Sequence, residues 1–314
     1  MGVPFRIVLY ACDEGTANKA VTQAFARIHA LNQLCSDYDP ASDLRVLCRD
    51  YAPGIPHPVN PELASLLQTS VSMTHRTKGC FDVTVGPLVK LWRRARRQKK
   101  LPDPERLRDA MARCGGNRLH VTTNRVRLDQ EGMQLDLGGI AKGYATDQAL
   151  EVLRRAGIPR ALIDGSGDIR VGDPPPRQQG WRIRIAGFDE FQSQNGEEPG
   201  KVPAPNQLLL ANAAVATSGD LYQFVELDGV RYSHILDPRS GNPCIRRSMV
   251  TVVAASGTEA DALASALNVA DAEYGFQMLK QNFPLSSARI VFVGKQGIRT
   301  MASPHFPVVT GTMP

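Results

Sequence analysis

The chain has 314 residues, of which 42% are hydrophobic and 22% are charged, with a formal net charge of +6. This is the balance of an ordinary globular protein with a sizeable core, which excludes a disordered chain. No stretch approaches the roughly 18 apolar residues of a membrane-spanning helix, so a transmembrane segment is excluded as well. Six cysteines lie scattered without C-x-x-C spacing, which argues against a zinc site or a dithiol redox pair.

The first part of the chain is predicted to be mostly helical. Residues 5–11 (FRIVLYA) have the pattern of a strand, and apolar residues recur at helical spacing over 16–35. After an irregular, proline-rich connection, a second helix is predicted over about 61–75, and another over about 104–113. Short strands are expected around RLHV, RVRL and MQLD, between residues 118 and 136.

The basic residues are concentrated in RRARRQKK at 93–100, which carries six positive charges, so the rest of the chain is close to neutral. We interpret this run as the solvated face of a helix that leads into a proline-marked turn. A nucleic-acid or anionic-surface patch is the alternative, but no aromatic residue or nucleic-acid motif accompanies it. A weak attraction for a phosphorylated small molecule also stays open.

The second part of the chain alternates helices with groups of strands. GGIAKGYATDQALEVLRRAG predicts a helix opened by glycines, and ALIDGSGDIRVGD predicts a strand, a tight turn and a strand. A polar loop is expected at 191–206. The remaining predicted elements are strands in WRIRIAG, AAVATSGD, YQFVEL and MVTVVAAS, a helix in GTEADALASALNVA and a strand in ARIVFVG. This order predicts an α+β fold of mixed or antiparallel sheets flanked by helices, in a single domain over 1–314.

Three segments could carry chemistry, and the first is LDLGGIAKGYATD at 135–147. Gly138 and Gly139 at a helix start let the backbone approach a ligand, the first amides form an anion site, and Lys142 adds a cation. This combination suits a phosphate. A helix entry that needs glycine for packing, with Lys142 in water, explains the same residues, and the segment is neither a Walker loop nor a dinucleotide fingerprint.

The second segment is TEADALASAL at 258–267. Asp261 and Ser265 are four residues apart, so they lie on one helix face and present oxygen atoms that suit a hard cation such as Mg²⁺. The alternative is a capping box, because Thr258 precedes Asp261 by three residues.

The third segment is YSHILDPRSG at 232–241. His234 has the ordinary pKa of ~6.5 that suits proton transfer near neutrality. Asp237 and Arg239 could orient it or bind an anion. A buried structural histidine followed by a turn is an equally good interpretation of this segment alone. There is no HExxH and no G-x-S-x-G, which argues against zinc hydrolysis and a nucleophile elbow.

Taken together and in order, these segments resemble the ApbE-type FAD:protein FMN transferases. The matching stretches are MGVPFRI, LCSDYDPASDL, GCFDVTVGPLVKLW, LDLGGIAKGYATD, AVATSGD, YSHILDPRSGNP and ADALASAL, from residue 1 to about 270. The resemblance implies an enzyme that uses FAD and Mg²⁺ and attaches FMN to a Ser or Thr hydroxyl of a partner flavoprotein, with release of AMP. An FAD pyrophosphatase and a non-catalytic flavin-binding protein are the alternatives, and no nucleic-acid partner is expected.

The resemblance also implies roles for individual residues. His234 matches the family's histidine base, and Asp237 and Arg239 are interpreted as its scaffold. Met1, Tyr38, Cys80, Phe81, Asp82, Asp136, Lys142 and Ile235 fall at FAD-contact positions. The implied metal ligands are the side chains of Asp261 and Ser265 and the backbone carbonyls of Gly139 and Ala264.

Some features depart from the family pattern. Ser265 and Ser240 stand where threonine is more common, and the run at 93–100 is not part of the general pattern. No signal peptide precedes the first strand, so the chain by itself is expected to be cytoplasmic. Because Met1 is already a family contact and most relatives carry an export or lipoprotein signal before it, the resemblance suggests a lost leader and a periplasmic or membrane-tethered protein.

Overall fold

The computed structural model describes residues 2–185, 207–220, 223–294 and 297–307. The N-terminal part of this structure is mostly helical, and β-strands dominate the C-terminal part, as the sequence predicts. The helices are α1 (Glu14–Cys35), α2 (Asp43–Asp50), α3 (Pro61–Arg76), α4 (Gly86–Gln98), α5 (Pro104–Ala112), α6 (Ala141–Arg155), α7 (Gly257–Val269) and α8 (Ala272–Asn282).

A seven-stranded sheet forms the centre, in the order β1-β5-β6-β9-β12-β13-β14, and all of its neighbouring pairs are antiparallel. Three small sheets accompany it: β2-β4-β3, β7-β8 and β10-β11. The strands are β1 (Arg6–Leu9), β2 (His57–Pro58), β3 (Leu119–Val121), β4 (Arg125–Leu128), β5 (Ala161–Gly165), β6 (Asp168–Val171), β7 (Trp181–Arg184), β8 (Gln207–Leu210), β9 (Ala214–Gly219), β10 (Phe224–Leu227), β11 (Val230–Ser233), β12 (Ser248–Ala254), β13 (Ser287–Gly294) and β14 (Gly297–Ala302).

The central sheet is covered on both faces. Successive side chains of a strand point to opposite faces, so neighbouring residues of one strand pack into different clusters. In β12, Val250 and Val252 belong to the main core, whereas Val253 packs with the β7-β8 ribbon in a second cluster. All seven residues of β12 are buried. Strands buried on both sides read as continuous apolar runs, which explains why MVTVVAAS was recognisable from the sequence.

Helices α6 and α7 pack side by side on one face of the sheet, and α1 packs on α6. The crossing of α6 and α7 is unusually close, since a Cβ added to Gly143 would lie 2.0 Å from the carbonyl oxygen of Gly257. Small residues also line α7, where alternate alanines from Ala260 to Ala266 are buried. This close approach of two glycines places the start of α6 beside the side chains of α7.

The basic run forms part of α4, but the interpretation of a wholly solvated face is only partly right. Arg94 and Arg97 are exposed, whereas Arg93 and Arg96 are half-buried. Helix α4 ends at Gln98 with Lys99 in the left-handed conformation. On its apolar side Leu88 and Trp92 pack against α5 and the segment that contains Leu236.

One predicted strand is wrong. Residues 133–136 (MQLD) form only an isolated bridge between Gln134 and Val85. The alternation that suggested a strand has another cause: Met133 and Leu135 are buried in the main core, while the carbonyl of Gln134 accepts from Gly86 N at 3.1 Å. The segment is extended and half-buried without a neighbouring strand.

The sequence left other features undecided. The loop expected at 191–206 lies outside the described residues.

All six cysteines are free thiols. Cys12 is exposed, and the other five are buried or half-buried. None of the helices in the described ranges is long and apolar enough to cross a membrane.

Candidate active site

A cavity of about 420 Å³ opens between α4, the start of α6, α7 and the segment that follows β11. It collects residues that are far apart in the chain, including most of those predicted from the sequence. Asp261 and Ala264 are buried in α7 and do not line the cavity, and Met1 lies outside the described residues. The predicted residues that line it are Tyr38, Cys80, Phe81, Asp82, Asp136, Gly139, Lys142, His234, Ile235 and Ser265.

Lys142 is one turn into α6 and is held between two carboxylates rather than in water. Its Nζ pairs with Asp168 of β6 and lies 3.5 Å from Oδ1 of Asp261. Burial by itself would lower the pKa of Lys142, but the charges of Asp261 and Asp168 raise it above its ordinary value. Lys142 is therefore a fixed cation, and Asp168 is an ion-pair partner that no sequence motif indicated.

Asp261 is not the capping residue that its spacing suggested. Helix α7 is capped by Ser256, whose Oγ accepts from Glu259 N at 3.2 Å, and by the carboxylate of Asp147, which accepts from Gly257 N at 2.8 Å. Asp261 instead accepts from Gly143 N of α6 at 3.1 Å. Because the helix end is already satisfied by other groups, the capping interpretation of Asp261 is wrong.

Two oxygen donors, the Asp261 carboxylate and the Ser265 hydroxyl, lie on the face of α7 that meets α6, and their chemistry fits a hard divalent cation. The Asp261 carboxylate and the Ser265 hydroxyl lie one turn apart on α7, and Ser265 Oγ would be 3.0 Å from a Cβ built on Gly139. Only glycine lets the backbone come this close to the hydroxyl. The described residues contain no group of three or more His, Cys, Asp or Glu that could hold a metal ion, and Mg²⁺ usually takes only one or two carboxylates.

His234 follows β11 and faces the cavity with one ring nitrogen already engaged. Its Nδ1 lies 3.1 Å from the carbonyl oxygen of Gln223, and since a carbonyl only accepts, Nδ1 carries the proton. Burial lowers the pKa of His234, against the opposing effect of the Gln223 hydrogen bond, and the charge of Arg96 lowers it as well. The ring is therefore neutral near pH 7, with Nε2 able to accept a proton.

Asp237 and Arg239 build the turn after His234. Asp237 Oδ1 accepts from Arg239 N at 2.9 Å, the guanidinium of Arg239 pairs with the same carboxylate, and Gly241 N donates to the Asp237 carbonyl at 2.8 Å. Neither charged side chain lines the cavity, although Pro238 between them does. Their geometry is that of a rigid turn.

Two of the aspartates on the cavity wall, Asp82 and Asp136, accept hydrogen bonds from backbone amides of the chain itself. Asp82 accepts from Thr84 N and from Gly116 N, each at 2.8 Å, and Asp136 accepts from Gly138 N at 2.7 Å. Burial raises the pKa of each carboxyl. These bonds hold the 80–82 and 136–139 segments in place, so their backbone faces the cavity.

Aromatic and apolar groups form the remaining wall. Phe81, Ile235 and Cys80 are buried, and burial raises the pKa of the Cys80 thiol, so this cysteine is not a thiolate nucleophile. Tyr38 is 73% exposed at the rim, with the guanidinium of Arg93 placed 4.5 Å from its ring centroid. An exposed aromatic ring beside an apolar wall can stack on a flat ligand.

Sequence analysis missed Arg93 and Arg96 as residues of this cavity. The signal was available in their spacing, because Val85, Val89, Trp92 and Arg96 lie at three- and four-residue intervals and share one face of α4. The density of positive charge in the run hid this pattern.

Comparisons with known proteins agree with this architecture. The model of the ApbE family matches residues 1–288. A FAD:protein FMN transferase of Treponema pallidum is 32% identical over 254 residues, which cover 76% of this chain and 67% of that protein. A second FAD:protein FMN transferase, from Vibrio cholerae, is 31% identical over 90% of this chain and 83% of its own length.

Solved structures extend the likeness to the fold. The flavin transferase ApbE from Vibrio cholerae superimposes with a TM-score of 0.83 at 27% identity, covering 97% of this chain and 94% of that one. The ApbE protein of Thermotoga maritima gives 0.81 at 27% identity, with 96% and 94% covered. The family predicted from the motifs is thus confirmed: the chain belongs to the ApbE family of transferases.

Proposed function

We propose that this chain is a FAD:protein FMN transferase, which moves the FMN part of FAD onto a Ser or Thr hydroxyl of a partner flavoprotein and releases AMP. The observation that carries the proposal is one cavity that brings together a neutral histidine, a fixed lysine and the Ser265 hydroxyl from distant parts of the chain, with the buried Asp261 carboxylate 3.5 Å from the lysine. The names of the family relatives add independent support.

His234 is proposed to be the general base. The tautomer set by Gln223 leaves Nε2 free to take the proton of the incoming hydroxyl. The hydroxyl oxygen then forms a bond to the FMN-side phosphorus, and the bond from that phosphorus to the AMP oxygen breaks. The Asp237–Arg239 turn holds the histidine segment, so the base does not need to be reoriented before reaction.

Mg²⁺ is proposed as the cofactor, held by the side chains of Asp261 and Ser265 and by the carbonyls of Gly139 and Ala264. When bound it would neutralise phosphate oxygens of the substrate. The chain's own contribution is to keep Asp261 in place through Gly143 N and Lys142. Tyr38, Phe81 and Ile235 are proposed to contact the flavin ring, and Cys80, Asp82, Asp136, Lys142 and Met1 complete the proposed FAD contacts.

Incubation of the protein with FAD, Mg²⁺ and a candidate acceptor flavoprotein, followed by mass spectrometry of the acceptor, tests the proposal. An acceptor that gains the mass of FMN, with an equal amount of AMP, is the expected result. Free FMN and AMP without an adduct would identify a pyrophosphatase instead. Binding of FAD without any product would identify a flavin carrier.

The Asp261→Asn variant tests the metal ligand separately. The amide keeps an oxygen that can accept from Gly143 N but removes the negative charge, so we expect FAD turnover to be lost and Mg²⁺ to have no effect on FAD binding. Removal of Mg²⁺ from the wild type with EDTA should have the same effect. A variant that retains Mg²⁺-dependent turnover would show that Asp261 has only a structural role.

A further inference from the structure

Helix α4 presents one face to the cavity, and Arg96 lies on it. Val85, Val89, Trp92, Arg93 and Arg96 all line the cavity, with the spacing of a single helical stripe. Arg94 and Arg97 of the same helix are exposed and do not line the cavity. The position of Arg96 is therefore set by the helix and not by the general solvation of a basic run.

The same face of α4 is fixed to the segment that carries His234. Trp92 Nε1 donates to the carbonyl of Gly241 at 2.9 Å, and its ring stacks on Tyr232 with centroids 5.5 Å apart. Arg96 follows Trp92 by one helical turn, and its charge influences the His234 ring. The Arg96 side chain therefore lines the cavity close enough to the proposed base for its charge to act on it.

Arg96 differs from Arg93 and Lys142, the other cations that line the cavity, because it has no carboxylate partner among the described residues. Arg93 pairs with Asp37 and with Asp136, the latter at 3.4 Å, and Lys142 pairs with Asp168 and Asp261. Within the described ranges, no carboxylate forms an ion pair or hydrogen bond with Arg96. Burial, and then the like charge of Arg93, lowers the pKa of Arg96, which is the expected direction for a half-buried cation without a counter-ion.

We propose that Arg96 is a substrate-binding residue that contacts the phosphate groups of the flavin dinucleotide. This inference rests on the proposed function and adds to it a residue from the basic run. The diphosphate brings negative charge into a cavity whose other cations are already neutralised by aspartates. A guanidinium is well suited to bind it, because its planar donors match phosphate oxygens in pairs.

Equilibrium binding of FAD and of riboflavin, which has the same ring but no phosphate, tests the proposal in the intact protein with Mg²⁺. Arg96→Gln should weaken FAD binding about 10- to 100-fold, the loss typical of a charge-assisted hydrogen-bond pair, and should change riboflavin binding less than about twofold. Arg96→Lys keeps the charge but not the paired donors, so it should recover part of the affinity. Arg97→Gln, an exposed position on the same helix, is the matched control and should bind both ligands like the wild type.

The possible outcomes separate the inference from the function on which it rests. FAD binding by Arg96→Gln that equals the wild type would refute the role of Arg96, while transfer of FMN by the wild type would leave the proposed function intact. An equal loss for FAD and riboflavin would also refute it, since Arg96 would then contact the ring. If the wild type binds no FAD, both proposals fail together.

Discussion

The crossing of α6 and α7 gives the sharpest prediction, because a single methyl group tests it. In Gly143→Ala the new Cβ would lie 2.0 Å from the carbonyl oxygen of Gly257 and 2.9 Å from Cβ of Asp261. Real Cβ atoms essentially never approach other atoms closer than 3.0 Å. The backbone oxygen cannot rotate away as a side chain could, so the two helices have to move apart by about 1 Å in a tightly packed interior.

The expected cost follows from three terms. Alanine favours the helix over glycine by about 0.5–1 kcal/mol. Overpacking costs about 1–3 kcal/mol, and the hydrogen bond from Gly143 N to the Asp261 carboxylate is worth about 1.5–3 kcal/mol when it is lost. We therefore expect Gly143→Ala to lower the free energy of unfolding by about 1.5–5.5 kcal/mol. Separation of the helices also displaces Asp261 from the start of α6, so FAD turnover should fall in the protein that remains folded.

Urea unfolding followed by circular dichroism measures the stability term, and FMN transfer measures the second effect. Gly15→Ala is the matched control, since that glycine lies in the first turn of α1 and an added Cβ would meet only Asp13 Oδ1, at 3.3 Å. This control should be as stable as the wild type or more stable by up to about 1 kcal/mol. If Gly143→Ala behaves like Gly15→Ala and keeps full activity, the proposed role of the glycine crossing is refuted.

Two further predictions concern protons and buried charge. Burial lowers the pKa of His234, so this base stays neutral at lower pH than an exposed histidine does. We therefore expect kcat/KM to remain level down to about pH 6.5 and to fall only below it. A pH–rate profile with an inflection above neutrality would contradict this. Asp147→Asn removes the carboxylate that holds the first amides of α7 and pairs with Arg170 at 3.0 Å, and thermal or urea unfolding should show a loss of about 2 kcal/mol. Glu151, which pairs with Arg155 at 2.9 Å on the same helix, is the control, and Glu151→Gln should cost about 0.3–0.5 kcal/mol. Equal losses for the two variants would refute the assignment.

Local patterns predicted most of the elements. Helix α1 was visible because its buried residues, such as Ala24, Ile28 and Leu31, recur at helical spacing. Helix α2 was not recognised, since only eight residues carry its pattern. The strand predicted over 133–136 is wrong for a different reason. Burial alternates along this segment as it does along a strand, although its backbone forms only an isolated bridge.

The α+β class follows from local spacing along the chain. The family follows from the order of its short motifs, and most of the predicted cavity residues follow from the resemblance that those motifs carry. What the charged residues face depends on the tertiary structure. Lys142 meets Asp168 over 26 positions, and Asp261 meets Gly143 over 118, so no local pattern encodes either pair. Charge acts through space, and the folding of distant segments onto one another determines which aspartates are neutralised. It also determines that Arg96 lines the cavity without a carboxylate partner among the described residues.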